Sequence, residues 1–245
     1  MIEKLLQDCL LGFRATSILD VGPGYSNYSR IAARVTGATH ITYLDCDQKV
    51  LDWQTSQSEQ NNYNAEVNYT MLGSSELVKL NNSFDIILCQ EVLEHLAEAD
   101  EVLTTLAKHL SVNSRIVITV PTQVSERWLK LLNRKYMHDE PHGHVREFDE
   151  AVLRDVLKKA GLQPLVFIPT QPHYFIAHTW LFGTRMQAEG STGRIRTGGF
   201  RGAVFGFLLR YSKKLFVLTG HKWWGRLLPR NYFIVAAKLD HESIS

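Results

Sequence analysis

Apolar residues in this chain fall into short dense runs, with stretches of helical spacing between them. Ile18, Leu19 and Val21 make the first run, and FDIILC and RIVITVP make two of the longest. Such runs predict strands near 17–21, 40–44, 66–71, 84–89, 114–120, 163–168 and 231–238. Strands with so few polar breaks belong in a sheet buried on both faces. The intervening periodicity predicts helices, most clearly at 1–13, 98–109 and 147–160. Asp149 reads as the N-cap of the last of these, and Gly161 as its stop. Alternating strands and helices imply an α/β fold with a mostly parallel, doubly wound sheet. Ligand then sits beyond the carboxyl ends of the strands.

The first strand ends in Asp20, Gly22 and Gly24, and a helical pattern starts near Tyr25. The two glycines allow a tight turn and close approach of backbone to a ligand. A dinucleotide is not favoured, because Asn27 stands where the third glycine of GxGxxG would be. The second strand ends in Asp45, 25 residues after Asp20, where a carboxylate can take both hydroxyls of a ribose.

These segments, in this order and spacing, resemble the class I S-adenosylmethionine-dependent methyltransferases. The likeness covers residues 17–121 and continues through HVREFDEAVLRDVLKKAGL at 144–162. It implies a Rossmann-like seven-stranded sheet, mostly parallel with the last strand antiparallel, and S-adenosylmethionine as cofactor. By the resemblance, Asp20, Gly22 and Gly24 would line the methionine half of the cofactor. Asp45 would hold the ribose, Cys46 would lie along the adenine, and Gln90 would face the sulfonium. Ser74 and Ser75 stand where the family has an acidic residue on the adenine amino group.

Composition agrees with one globular enzyme, at 44% hydrophobic and 21% charged residues in 245. Cys9, Cys46 and Cys89 are scattered without a CxxC, which fits a reducing, cytoplasmic setting. The first residues, MIEKLLQDCLLGF, read as an amphipathic helix and not as a signal peptide.

Charge divides the chain. Residues 1–170 and 230–245 read as the core, and 171–229 as a helical insertion before the last strand. Gly190 to Arg230 holds nine Lys or Arg and no acid, so 18 basic residues remain against 25 acidic ones elsewhere. Large apolar residues are interleaved, including Phe200, Phe205, Phe207, Trp223 and Trp224. At 100° per residue, Arg210, Lys213 and Lys214 share one helical face, opposite Val204, Leu208, Tyr211, Leu215 and Leu218. Three roles fit this pattern. The insertion is a cap with a solvated basic face, a contact for an anionic membrane surface through 190–228, or a nucleic-acid contact, the last without an RNA-binding signature.

Acid and imidazole residues cluster after the fourth and fifth strands. EVLEH carries Glu91, Glu94 and His95, which converge if a helix starts there. His138, Asp139, Glu140, His142 and His144 follow later. ExxEH with a later His144-x-x-x-Phe148 resembles the ubiquinone-biosynthesis O-methyltransferases and the small-RNA 3′-terminal 2′-O-methyltransferases. That likeness implies a divalent cation, Mg²⁺ or Mn²⁺, on Glu91, Glu94, His95 and His144, with His142 as the rival to His144. Mixed oxygen and nitrogen donors suit Mn²⁺ better than Mg²⁺. Independently of a metal, His95, His142 and His144 are the candidates for a general base. Arg146 and His173 are candidates for an acidic substrate group. The expected activity is O-methylation of a small or lipid-linked acceptor, a phenol, quinol or sugar hydroxyl. RNA ribose methylation and a non-catalytic binding subunit are the alternatives.

Overall fold

The structure is a computed structural model. It describes residues 1–69, 80, 82–132, 143–171, 204, 206–208, 210, 211 and 227–238. Seven strands form one sheet: β1 (Ser17–Val21), β2 (His40–Asp45), β3 (Asn64–Tyr69), β4 (Phe84–Gln90), β5 (Leu110–Pro121), β6 (Leu162–Thr170) and β7 (Asn231–Lys238). Their order across the sheet is β3-β2-β1-β4-β5-β7-β6. β1 to β5 pair in parallel, and β7 runs antiparallel to both of its neighbours. All seven expected strands are present, and the antiparallel last strand is confirmed. β6 lies at the sheet edge, where Pro164 and Pro169 cost least.

Helices cover both faces. α1 (Ile2–Leu10), α2 (Tyr28–Thr36) and α3 (Gln48–Gln60) contribute to one apolar cluster. α4 (Ala99–Lys108) and α6 (Glu150–Lys159) contribute to the other. Strand side chains alternate between the layers: Ile86 and Leu88 join the first, while Ile87 and Cys89 join the second. α5 (Gln123–Leu132) follows β5 directly. Asp149 caps α6 as expected, its Oδ1 accepting from Val152 N at 2.8 Å.

Strand order reverses between β1 and β4, so the loops leaving them diverge and open a crevice at their carboxyl ends. Asp20–Gly24 and Gln90–His95 border that crevice. The insertion leaves the sheet at β6 and returns at β7. Of its described residues, 204, 206–208, 210, 211 and 227 are helical. Arg210 is exposed and Leu208 partly buried, as the helical pattern requires, but Tyr211 is exposed and stacks on Phe207 at 4.3 Å. Ser74, Ser75, His138, His142, His173 and most of 171–229, Trp223 and Trp224 included, lie outside the described residues. Among the described residues, no helix is long and apolar enough to cross a membrane.

Candidate functional site

The glycine turn after β1 is fixed from both sides. Gly22 and Gly24 have φ of 60° and 51°, the left-handed region that favours glycine. Gly22 N donates to Leu44 O of β2 at 2.8 Å. A Cβ on Gly24 would meet no protein atom within 4 Å, so the space beside the turn is open. Gln54 of α3, fully buried, donates from Nε2 to Gly24 O at 2.8 Å and Ser26 O at 3.0 Å. Its Oε1 accepts from Arg30, which also donates to Ser26 O. Sequence reasoning missed this clamp, because one Gln in a polar helix gives no signal until α3 is placed against the turn.

Three polar side chains face the crevice. Asp20 is buried, and its Oδ2 has no hydrogen-bond partner. Burial pushes its pKa from 3.8 up to about 7, against the pull of Ser29 and Arg30. Asp45 is also buried and raised for the same reason, while amides of Asp47, Gly24 and Cys46 draw it back. Asp47 N reaches Asp45 Oδ1 at 2.9 Å. Gln90 is nearly buried, with both amide atoms unpartnered. Three buried polar atoms without partners, beside an open glycine turn, fit a polar ligand that supplies the missing bonds. The donors and acceptors present suit the methionine and ribose portions of S-adenosylmethionine. Cys46 lies just past β2, half-buried, with its thiol pKa raised by burial and by Asp45. All three cysteines are free.

The second half of the site departs from the expected helix. Glu91 takes φ 56°, a conformation costly for a non-glycine residue. Its N–H donates to Thr119 O at 2.9 Å, and its Oε1 accepts from Asn231 Nδ2. A single 3-10 turn follows at Leu93–His95. Glu91 therefore does not share a helical face with His95. Glu91 retains exposed surface, and desolvation by the surrounding protein raises its pKa.

His144 reaches this turn through the backbone. Glu94 O accepts from Val145 N at 2.8 Å and Arg146 N at 3.1 Å. Phe148, buried, bridges to Thr122. Glu94, His95 and His144 each place one ligand atom within 4.8 Å of the other two. The His95 and His144 rings meet edge to face at 4.8 Å. Glu94 is buried, and neither carboxylate oxygen has a partner. Desolvation, reinforced by the charge of Glu91, raises its pKa strongly. Three of the four expected ligands thus come together, while Glu91 stands beside them bound to Asn231. Arg146 is committed elsewhere: it pairs with Asp100 at 2.6 Å and lies over Phe148.

Two further residues join the cluster. Glu126 of α5, almost fully buried, lies 2.8 Å from His144 Nδ1 through Oε2. Its Oε1 faces Arg230 Nη1 at 3.5 Å. Arg230, counted in sequence among the nine basic residues of Gly190 to Arg230, is buried immediately before β7.

A family model described as "Methyltransferase domain" matches residues 2–166, and the chain belongs to that family. Its fold is that of the class I S-adenosylmethionine-dependent methyltransferases. The ubiquinone biosynthesis O-methyltransferase of Rickettsia canadensis is 26% identical over 113 residues, 46% of this chain and 45% of that protein. The match thus spans less than half of that relative. Among solved structures, magnesium protoporphyrin IX methyltransferase from Synechocystis PCC 6803 with bound SAH superposes with TM-score 0.55 at 14% identity, covering 97% of this chain and 80% of that one. The cyclase SpnF superposes with TM-score 0.58 at 16% identity, covering 97% and 80%. At these identities the likeness shows the fold alone, and the cyclase illustrates that one fold hosts different chemistries.

Proposed function

We propose that this protein uses S-adenosylmethionine to methylate an oxygen of a small or lipid-linked acceptor, a phenol, quinol or sugar hydroxyl. The observation that carries the reading is the cluster of Glu94, His95 and His144, formed where the segment after β4 meets the segment before α6. Asp20, Asp45 and Gln90 offer polar partners for the cofactor, and the two histidines offer bases for an acceptor. The named O-methyltransferase relative supports the choice of oxygen.

Bound S-adenosylmethionine supplies an activated methyl group on a sulfonium. Protein side chains then have two tasks, alignment and proton removal. Asp20, Gln90 and Asp45 orient the donor. His95 or His144 would accept the acceptor's hydroxyl proton as the methyl group passes to that oxygen. Glu94, with two buried unpartnered oxygens, and the two imidazoles also form a donor set suited to Mn²⁺. Such a cation would lower the hydroxyl's pKa at that point.

A chelator that abolishes methylation of a catechol, with restoration by Mn²⁺, supports the cation. Undiminished activity in chelator removes it. The basic insertion is proposed to meet an anionic membrane surface. Flotation with anionic vesicles, lost on deleting 190–228, is the expected result; flotation by the deletion variant contradicts it.

A further inference from the structure

His144 is gripped from behind by a buried ion pair that neither the family match nor the named relatives assign. Glu126 sends one oxygen, Oε2, to His144 Nδ1 at 2.8 Å. The other, Oε1, faces Arg230 at 3.5 Å. Arg230 is fixed in turn: its Nη1 donates to Ser125 Oγ at 3.2 Å and its N–H to Thr170 O at 2.9 Å. Its carbonyl accepts from Thr122 N at 3.0 Å and Ser125 Oγ at 3.1 Å. Thr122 Oγ1 holds the preceding Pro229 carbonyl at 2.6 Å. The carboxylate therefore has little freedom to turn.

An ionised carboxylate only accepts hydrogen bonds, so its partner nitrogen must carry the proton. We propose that Glu126, held by Arg230, is a positioning residue that fixes neutral His144 as its Nδ1–H tautomer. Nε2 is then the unprotonated nitrogen of the ring. The inference rests on His144 being a working residue of the acceptor site, whether it takes a proton or holds a cation. Both tasks need an unprotonated Nε2 at a set angle, and an acceptor behind the ring supplies both conditions. Arg230 closes the insertion, so the ring's orientation also depends on where the insertion rejoins the sheet.

The test is long-range ¹H–¹⁵N correlation on the histidine-labelled full chain, with His144 assigned through a His144→Gln variant. Neutral His144 in the parent should carry its proton on Nδ1. In Glu126→Gln the amide oxygen should turn to Arg230, placing the amide NH₂ against Nδ1 and moving the proton to Nε2. Glu126→Asp should retain Nδ1–H. A structural role alone would not switch the tautomer. An Nε2–H ring in the parent, or an unchanged tautomer in a folded Glu126→Gln protein, overturns the proposal. Mn²⁺ titration separates the two levels. If the parent binds, Glu126→Gln should bind roughly 10- to 100-fold more weakly. If the parent does not bind, the cation reading fails while the tautomer result still decides this one.

Discussion

Replacing Asp20 with Asn should stabilise the ligand-free protein at high pH relative to low pH. Burial raises the Asp20 pKa from 3.8 to about 7. A carboxyl raised in the folded state contributes stability that is present at low pH and lost as pH rises through the folded value. The full difference is about 3 pH units, which corresponds to about 4 kcal/mol at 1.36 kcal/mol per unit. Between pH 5 and pH 9 only the part from 5 to about 7 is sampled, roughly 3 kcal/mol. Asn has nearly the same shape and no charge, so any fixed packing cost cancels between the two conditions. Urea melts of parent and Asp20→Asn at pH 5 and pH 9 read the quantity directly. The variant should gain about 3 kcal/mol on the parent at pH 9 relative to their difference at pH 5. It should also bind S-adenosylhomocysteine more weakly, since the carboxylate's burial is retained for a ligand. A stability difference that does not change with pH would show that Asp20 is not held in a desolvated crevice.

Other consequences are as specific. Gln54→Ala frees two carbonyls of the glycine turn and leaves Arg30 short of an acceptor. It should cost about 1–3 kcal/mol in denaturant melts and weaken S-adenosylhomocysteine binding by about tenfold in calorimetry, with an unchanged circular dichroism spectrum. Glu94→Gln should flatten the loss of stability as pH rises, because burial and the charge of Glu91 raise the parent carboxyl, and it should abolish Mn²⁺ binding read by electron paramagnetic resonance. Asp149→Ala removes the α6 cap and should lower stability by about 1 kcal/mol while leaving cofactor affinity intact.

The strands were legible because they are buried on both faces. Runs such as Ile86–Cys89 need no partner to be recognised. The glycine turn, Asp20, Asp45 and Gln90 were legible through their order along the chain. Glu126 was not, for a physical reason. On α5, Val124, Trp128 and Leu131 share one helical face and are exposed, while Ser125 and Glu126 on the opposite side are buried. Periodicity alone would turn the helix the other way. Glu91 misled similarly: its left-handed backbone and the 3-10 turn after it depend on β5 and Asn231, which are distant in sequence. His144 and Glu94 come together through backbone bonds between segments about fifty residues apart, a pairing no local pattern encodes.

Calorimetric titration of the full chain with S-adenosylhomocysteine, with and without Mn²⁺, tests the central claim most directly. Saturable binding at one site, weakened by Asp45→Ala, is the predicted result. No heat of binding in either condition, from protein that melts cooperatively, would mean that this crevice does not hold the cofactor and that the methyltransferase fold serves another purpose here.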